Sequence, residues 1–258
     1  MTLDGRVVFV TGAGRGIGRG IAEAVAEAGA DVAVGDLDLG PAEETVRLLG
    51  SPGRRSVALS LDVADPASVE AAVARTLEAF GRLDGWVNNA GTLHLAAALD
   101  VTREAWEADM RVNVAGLFAC CQAAAQEMIR AGRGGAIVNV ASNAGKVGYP
   151  NMAAYNAAKA AVISLTRSLS AEWAAHRVNV NAVCPGGVDT PMLHGAAEWL
   201  APRVGVPAPE LHAQMKPRQM DRHIRPLEVG RVVAFLLSDA ATIIRGQAIN
   251  VDGGDTPY

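Results

Sequence analysis

The chain of 258 residues has little cysteine and little net charge. Its three cysteines, Cys120, Cys121 and Cys184, show neither a pairing framework nor metal-ligand spacing. This argues against a secreted disulfide-stapled protein and against a cysteine-based zinc site, so we expect no bound metal. The net charge of -4 gives no reason to expect nucleic acid or an anionic membrane as the partner.

Long apolar runs are also missing from the sequence. No stretch approaches the ~18 uninterrupted apolar residues that a membrane span needs. The N-terminus lacks a basic region, and its apolar run covers only residues 7–10, which is typical of a first strand and not of a signal peptide. Half of the residues are hydrophobic, which predicts a packed core. We expect a cytoplasmic protein with no membrane contact.

Strand and helix patterns alternate along the chain, and this alternation predicts the fold class. Short apolar runs predict seven strands, at residues 7–10, 32–35, 56–61, 85–88, 136–141, 178–183 and 248–251. Helical spacing and capping residues predict helices at 16–29, 40–49, 66–80, 102–131 with a bend near Asn113, 151–175, and from Pro226 onward. The pattern predicts a single α/β domain over 1–258, with a doubly wound parallel sheet of the Rossmann type and helices on both faces.

One segment, rich in proline, histidine and arginine, interrupts this alternation. We expect residues 190–225, called the lid below, to cover the substrate, since an insertion of this length is usually functional or mobile. Two acids accompany five basic residues between 203 and 225. That excess favours a substrate with a carboxylate, phosphate or sulfonate, and a solvated or subunit-contacting loop is the alternative. The basic residues are Arg203, Lys216, Arg218, Arg222 and Arg225.

A glycine-rich loop follows the first predicted strand directly. Gly12, Gly16 and Gly18 fit the pattern G-x-x-x-G-x-G ahead of an amphipathic helix. Glycine lets the backbone approach a pyrophosphate, and the N-terminus of the following helix stabilises the negative charge. We therefore predict a dinucleotide site that also includes Arg15 and Ile17.

The predicted cofactor preference depends on Asp36, at the end of the second strand and eighteen residues beyond Gly18. A carboxylate there accepts hydrogen bonds from the adenosine ribose and repels a 2′-phosphate, which favours NAD over NADP. Leu37 follows it and belongs to the same predicted contact. Arg15 is the contrary signal, because a cation in the glycine loop suits a 2′-phosphate.

Tyr155 and Lys159 are four residues apart in the predicted helix 151–175, so they share one face. We expect the lysine cation to lower the pKa of the tyrosine toward the range of efficient acid–base catalysis. Ser142 follows the fifth predicted strand and would lie at the carboxyl edge of the sheet, where such sheets bind ligands. No G-x-S-x-G motif surrounds it, which argues against a nucleophilic serine.

Together these features resemble the short-chain dehydrogenase/reductase family over the full length of the chain. The order and spacing of several short motifs carry the resemblance. They are Thr11-Gly12-x-x-x-Gly16-x-Gly18, Asn88-Asn89-Ala90-Gly91, Asn113, Ser142, Tyr155-x-x-x-Lys159 and Pro185-Gly186.

The resemblance implies a role for each matching residue. Ser142 would hydrogen-bond the substrate oxygen, and Tyr155 would act as acid or base on the same oxygen. Lys159 would hold the nicotinamide ribose, and Asn113 would support a water linked to Lys159. Further contacts with the cofactor would come from Tyr155 and Lys159 themselves and from Asp62, Val63, Asn89, Ala90, Gly91, Pro185, Gly186, Val188 and Thr190.

We expect reversible NAD-dependent oxidation of a secondary alcohol, such as a polyol or hydroxy acid, to a ketone. An NADP-dependent carbonyl or 3-oxoacyl reductase, a nucleotide-sugar epimerase or dehydratase, and a non-catalytic NAD(H)-binding sensor are the alternatives. His94, His194 and Asn143 either face the pocket or lie at the surface. The resemblance also implies a homo-oligomer, which pairs through the helices before the fifth and sixth strands. It would be a dimer or a tetramer, and we expect the homotetramer.

Overall fold

Seven parallel strands form one sheet in the computed structural model, which describes residues 2–50 and 54–257. The sheet order is β3-β2-β1-β4-β5-β6-β7, and each neighbouring pair is parallel. The predicted doubly wound α/β sheet is thereby confirmed. The strands are β1 (Val7–Thr11), β2 (Asp31–Asp36), β3 (Ser56–Ser60), β4 (Gly85–Asn88), β5 (Gly135–Val140), β6 (Val178–Pro185) and β7 (Ala248–Val251).

Helices cover both faces of this sheet. They are α1 (Gly16–Glu27), α2 (Leu39–Leu49), α3 (Pro66–Phe80), α4 (Arg103–Met110), α5 (Leu117–Ala131), α6 (Ala153–Glu172), α7 (Pro191–Val204), α8 (Ala208–Gln214) and α9 (Pro226–Leu237). One π-helical turn, Arg111–Gly116, joins α4 to α5. Within the described ranges, every helix is too short or too polar to cross a membrane.

Successive residues of β1 supply the two halves of the core, because side chains alternate across a strand. Val8 and Val10 pack with residues of α1 and α9 on one face. Val7 and Phe9 pack with residues of α3, α5 and α6 on the other. The Phe9 ring stacks on the buried Trp86 of β4, with centroids 4.2 Å apart. The sheet is thus buried between two helical layers.

The crevice for a ligand forms where the strand order reverses, between β1 and β4. Val8 pairs with Val32 of β2 on one side and with Gly85 of β4 on the other. After β1 the chain continues to β2 on one side, and after β4 it continues to β5 on the other. The carboxyl ends of β1 and β4 therefore open a cleft between them. Doubly wound sheets bind nucleotides at such a point.

Local capping residues set several helix boundaries where the sequence predicts them. The Asp65 side chain accepts a hydrogen bond from the Ala67 amide at the start of α3. Thr102 caps α4 in the same way through the Ala105 amide. The predicted bend near Asn113 is the π-helical turn. The predicted start of α6 at Asn151 is wrong, because that residue has φ +64°, outside the right-handed helical region.

Candidate active site

Tyr155 and Lys159 share one face of α6, as their spacing predicts. The Lys159 ammonium nitrogen lies 5.5 Å from the centre of the Tyr155 ring. Lys159 is buried, and its Nζ donates a hydrogen bond to the Val140 carbonyl oxygen at 2.9 Å. Val140 is the last residue of β5. This bond anchors the lysine at the carboxyl edge of the sheet.

Ser142 lies two residues beyond β5, at the same edge. Its hydroxyl accepts a hydrogen bond from the Ala144 amide at 3.1 Å and donates to Asn143 Oδ1 at 3.3 Å. It also lies close enough to the Tyr155 hydroxyl to favour the tyrosinate. The structure therefore brings together the two hydroxyl groups that the sequence places thirteen residues apart.

Burial dominates the pKa values of this pair. Desolvation raises the pKa of Tyr155 to about 12, with the Ser142 hydrogen bond opposing and the Asp109 carboxylate adding to the rise. Desolvation also lowers the pKa of Lys159 to about 8. The expected net lowering of the Tyr155 pKa is therefore wrong for this structure, because desolvation is the largest contribution. Loss of hydration destabilises the charged forms of both side chains and is the largest cause of both shifts.

Asp109 is a buried acid beside the pair that the sequence analysis missed. Its carboxylate accepts hydrogen bonds from Thr92 Oγ1 at 2.9 Å and lies 2.7 Å from His94 Nδ1. It is close enough to raise the pKa of both Tyr155 and Lys159. It is also the buried residue of the otherwise solvent-facing α4. His94 thus reaches the site through Asp109.

Asn113 occupies the π-helical turn, a feature often found at functional sites. Its buried side chain donates from Nδ2 to the Thr92 carbonyl at 2.9 Å and accepts from the Thr92 amide at 3.3 Å. A Cβ built on Gly91 would lie 2.7 Å from Asn113 Oδ1 and 3.6 Å from Lys159 Nζ. Asn113 and Lys159 therefore flank the backbone of Gly91.

The glycine loop is shaped by close backbone contacts that a side chain would block. A Cβ built on Gly12 would lie 2.8 Å from Ala90 Cα, and one on Gly18 would lie 2.2 Å from the Gly12 carbonyl oxygen. Asn89 Nδ2 donates to the carbonyl oxygens of Thr11 and Gly12, at 3.0 and 2.9 Å. These bonds hold the loop against the end of β4. The resulting cradle ahead of α1 fits a pyrophosphate.

Asp36 stands at the end of β2 and contacts this loop. One carboxylate oxygen accepts the Gly14 amide at 2.8 Å, and the other accepts the Asp38 amide at 3.3 Å. Leu37 beside it is 71% exposed. Arg15 is exposed, and Arg19, a cation the sequence analysis did not consider, donates to the Gly14 carbonyl at 2.6 Å. Asp36, which favours NAD, and Arg15, which favours NADP, thus both lie at this loop.

Asp62 and Val63 follow β3 near the same edge. Asp62 is exposed, and its Oδ1 accepts a hydrogen bond from the Ala64 amide at 2.9 Å, so it forms a turn of its own beside the Asp65 cap. Val63 is buried, and its carbonyl oxygen would lie 2.6 Å from a Cβ on Gly116. The turn fixes the backbone here and leaves Asp62 facing solvent.

The segment after β6 closes the crevice from the other side. A Cβ on Gly186 would lie 2.3 Å from Asn143 Nδ2, so this segment passes directly beside the Ser142 loop. A Cβ on Gly16 would lie 3.6 Å from the Thr190 methyl group. Thr190 caps α7 by accepting the Leu193 amide at 3.2 Å. Two further members of the segment are Pro185, which ends β6, and Val188, which is buried and pairs with Ile224.

The lid carries helices α7 and α8, and most of its basic side chains already have partners. Lys216 pairs with Asp221 at 2.6 Å, and Arg222 pairs with Glu228 at 2.7 Å. Arg225 approaches Glu228 as well, at 3.5 Å, and Arg203 stacks on Trp199. Arg218 lies close enough to Tyr149 to favour its ionised form. The net positive charge that the sequence suggests is thus largely compensated locally.

Asn143 and His194 lie in different places. Asn143 Nδ2 donates to the Tyr149 hydroxyl oxygen at 2.9 Å, next to Ser142. His194 instead lies in the lid, where its Nε2 is 2.9 Å from Asp189 Oδ1. Asn143 therefore belongs to the surroundings of the candidate active site, and His194 belongs to a separate cluster.

This fold and this site together define a class of protein, the nicotinamide-dependent oxidoreductases with a nucleotide crevice and a Ser-Tyr-Lys cluster on one sheet edge. A family model described as enoyl-(acyl carrier protein) reductase matches residues 12–256. The crystal structure of a short-chain type dehydrogenase/reductase from Mycobacterium marinum superposes with a TM-score of 0.90 at 31% identity, covering 100% of this chain and 98% of that one.

Curated relatives match over nearly the full length. The chain is 39% identical to sorbitol dehydrogenase of Cereibacter sphaeroides, over 99% of both sequences. It is 42% identical to cis-4-hydroxycyclohexanecarboxylate dehydrogenase of Sinomonas cyclohexanicum, over 97% of this chain and 96% of that protein. The chain belongs to the short-chain dehydrogenase/reductase family and is an oxidoreductase with an NAD(P) nicotinamide cofactor.

Proposed function

We propose that this protein is an NAD-dependent dehydrogenase that reversibly oxidises a secondary alcohol to a ketone. The observation that carries the proposal is the meeting of Ser142, Tyr155 and Lys159 at the sheet edge beside the glycine loop. A sensor that only binds the cofactor has no need of these three side chains together. The names of the relatives agree, since sorbitol and hydroxycyclohexanecarboxylate both carry secondary hydroxyl groups.

Each side chain then has a role in proton transfer. Bound NAD would supply the acceptor for the hydride of the carbinol carbon. The Tyr155 oxygen takes the hydroxyl proton as the C–H bond breaks, and it returns the proton in the reverse direction. The Ser142 hydroxyl donates a hydrogen bond to the substrate oxygen and stabilises its developing negative charge. Lys159 stabilises the tyrosinate and holds the nicotinamide ribose, while Asn113 supports a water linked to Lys159.

The remaining predicted residues would hold the cofactor. The glycine loop, Gly12 to Gly18 with Arg15 and Ile17, fits the pyrophosphate, because side chains are absent where backbone must approach. Asp36 and Leu37 would contact the adenosine ribose, and the Asp36 carboxylate makes NAD the preferred form. Asn89 to Gly91 and the segment from Pro185 to Thr190 would flank the nicotinamide, and Asp62 and Val63 would contact the adenine.

For the substrate we propose a small polyol or hydroxy acid, covered by the lid. Asn143 and Tyr149 form a polar pair directly beside Ser142, which suits a second hydroxyl group. Because most basic side chains of the lid already have partners, we expect a neutral polyol to be turned over at least as well as its acid analogue. NADH formation from a panel of polyols and matched acids tests both points. A clear preference for acids would overturn the choice of a neutral substrate.

An NADP-dependent carbonyl or 3-oxoacyl reductase is the second candidate. The exposed Arg15 beside the glycine loop favours it, since a guanidinium suits a 2′-phosphate. The dissociation constants of NADH and NADPH, measured by fluorescence titration, distinguish the two candidates. Tighter binding of NADPH would support the reductase.

We also propose that the chain forms a homodimer or homotetramer through α4, α5 and α6. Alanines at partly exposed positions of α5 and α6, such as Ala123, Ala157 and Ala161, permit close helix approach. Trp106 on α4 is 41% exposed and would offer apolar surface to a partner subunit. Light scattering after gel filtration tests the assembly, and a monomer at assay concentration would contradict it.

A further inference from the structure

A cluster of three histidines in the lid meets one aspartate of the segment after β6. His194 on α7, His212 on α8 and His223 after α8 stack in a row, with ring centroids 3.8 and 4.3 Å apart. Asp189, from the segment after β6, approaches the first two rings. The segment after β6 and two parts of the lid thus converge on one point.

The ligand atoms of this cluster lie close together. Asp189 Oδ1 lies 2.9 Å from His194 Nε2 and 3.6 Å from His212 Nε2. The three atoms lie within 4.8 Å of one another. Around a zinc ion bound at its usual distances, neighbouring ligand atoms are about 3.3 Å apart in a tetrahedral arrangement. Because an imidazole lone pair lies in the ring plane, the stacked His194 and His212 rings must tilt away from parallel for both Nε2 atoms to bind one ion.

His212 has an unused nitrogen at the centre of the cluster. Its side chain is only 13% exposed, and its Nε2 is fully buried without a hydrogen-bond partner among the described residues. Leaving a buried polar atom unsatisfied costs about 1–3 kcal/mol. The ring lies between those of His194 and His223, which stack on its two sides.

We propose that Asp189, His194 and His212 form a binding site for a divalent transition-metal ion, with Zn²⁺ as the ion that best suits two imidazoles and a carboxylate. On binding, the neutral His194 ring would carry its single hydrogen on Nδ1 and present Nε2 to the ion, in place of the present contact with Asp189. Asp189 and His194 are each 54% exposed, so a fourth coordination position faces solvent.

His223 supports the site without ligating the ion. Its Nε2 lies 3.0 Å from the His212 carbonyl oxygen, so that nitrogen is already engaged. Its ring covers the outer face of the His212 ring. Groups that orient a ligand in this way typically contribute 10–100-fold to metal affinity.

A metal ion bound to these three side chains would restrict the motion of the lid. It would tie α7 and α8 to the segment that holds Thr190, whose methyl group lies against the glycine loop. The inference concerns metal binding alone and does not depend on the proposed dehydrogenase activity.

The test uses the full-length protein without an affinity tag, stripped with a chelator and titrated with Zn²⁺ by calorimetry. We expect one Zn²⁺ per chain. Loss of a ligand in His194→Ala or His212→Ala should weaken binding on the order of 100-fold or more, and His223→Ala about tenfold. His176→Ala is the matched control, because that histidine is exposed before β6, at the opposite end of that strand from the cluster, and this variant should bind Zn²⁺ like the unchanged protein.

Cobalt substitution in the unchanged protein gives a second readout that needs no variant. We expect Co²⁺ to produce the intense visible bands of a four- or five-coordinate site and Zn²⁺ to remove them stoichiometrically. Three results would each overturn the proposal. They are a spectrum with only the weak bands of hydrated Co²⁺, the absence of saturable Zn²⁺ binding, and equal Zn²⁺ affinity in His212→Ala and His176→Ala.

Discussion

The Lys159 ammonium lies 5.5 Å from the centre of the Tyr155 ring and is anchored to the Val140 carbonyl, so the two side chains stay adjacent at the carboxyl end of β5. Burial raises the pKa of Tyr155 to about 12 and lowers that of Lys159 to about 8. The protein therefore holds a neutral phenol beside a lysine that is still mostly protonated near neutral pH. Ketone reduction needs that phenol as an acid, and alcohol oxidation needs its conjugate base.

The pH dependence of the two directions should therefore differ. With its raised pKa, Tyr155 remains protonated near neutrality, and the scarce tyrosinate increases tenfold with each pH unit. We expect kcat/KM for alcohol oxidation to rise between about pH 6 and 8 and then to level off as Lys159 loses its proton, while ketone reduction stays flat over the same range. Initial rates in both directions measure this. An oxidation rate that falls with rising pH would contradict it.

Asp109→Asn should move the oxidation profile toward lower pH. The Asp109 carboxylate raises the pKa of Tyr155, so its removal makes the tyrosinate easier to form. Asparagine keeps an oxygen that accepts the Thr92 hydroxyl, which limits structural damage. Asp100→Asn changes an exposed acid in a nearby helical turn and serves as the control, with an unchanged profile expected. A profile for Asp109→Asn that matches the control would show that Asp109 does not act on Tyr155.

Asp36→Ala should reduce the preference for NAD. The substitution removes the carboxylate that would repel a 2′-phosphate, so we expect the ratio of NADPH to NADH affinity to increase by about tenfold, which corresponds to about 1.4 kcal/mol. Asp38→Asn, two residues along, is the control, because Asp38 caps α2 through the Gly40 amide and faces solvent. Fluorescence titration with both cofactors gives the ratio. Equal ratios in the two variants would remove Asp36 from cofactor selection.

Gly18→Ala should damage the cofactor loop. The added Cβ would meet the Gly12 carbonyl oxygen at 2.2 Å and the Asn89 side chain at 2.5 Å, so the loop must shift. We expect a loss of about 1–3 kcal/mol in the free energy of unfolding and a large loss of NADH affinity. Gly195→Ala within α7 meets open space and should be neutral or stabilising by about 0.5–1 kcal/mol. Denaturant titration and NADH binding measure both effects. Unchanged NADH affinity in Gly18→Ala would contradict the assignment of the glycine loop to the cofactor site.

The parts of the molecule that local chemistry controls are predictable from sequence. An aspartate followed by proline at Asp65-Pro66 gives the start of α3 at the observed residue, and strands of apolar runs, such as Gly85–Asn88, occur where predicted. Parallel strands end at one edge of a sheet, so the residues after β1, β4, β5 and β6 meet there. This topological rule is why short motifs far apart in the chain converge on one crevice.

What depends on tertiary burial was not predictable. The i,i+4 spacing of Tyr155 and Lys159 predicts their proximity but carries no information on desolvation, and desolvation decides the direction of the Tyr155 pKa shift. Asp109 belongs to no motif and is recognisable only once α4 packs beside α6. Likewise, the three segments that bring Asp189, His194 and His212 together fold back on one another in a region with no strand pattern. Cysteine spacing, on which the expectation of no metal rested, does not bear on such a cluster.

The most direct test of the account is turnover by Tyr155→Phe, measured together with NADH binding. Removing one oxygen atom deletes the proton-transfer group while the ring and Lys159 remain. We expect alcohol oxidation to fall on the order of 100- to 10,000-fold, with NADH affinity nearly unchanged. Turnover close to that of the unchanged protein, with NADH still bound, would show that the proton passes through another group and would contradict the central claim.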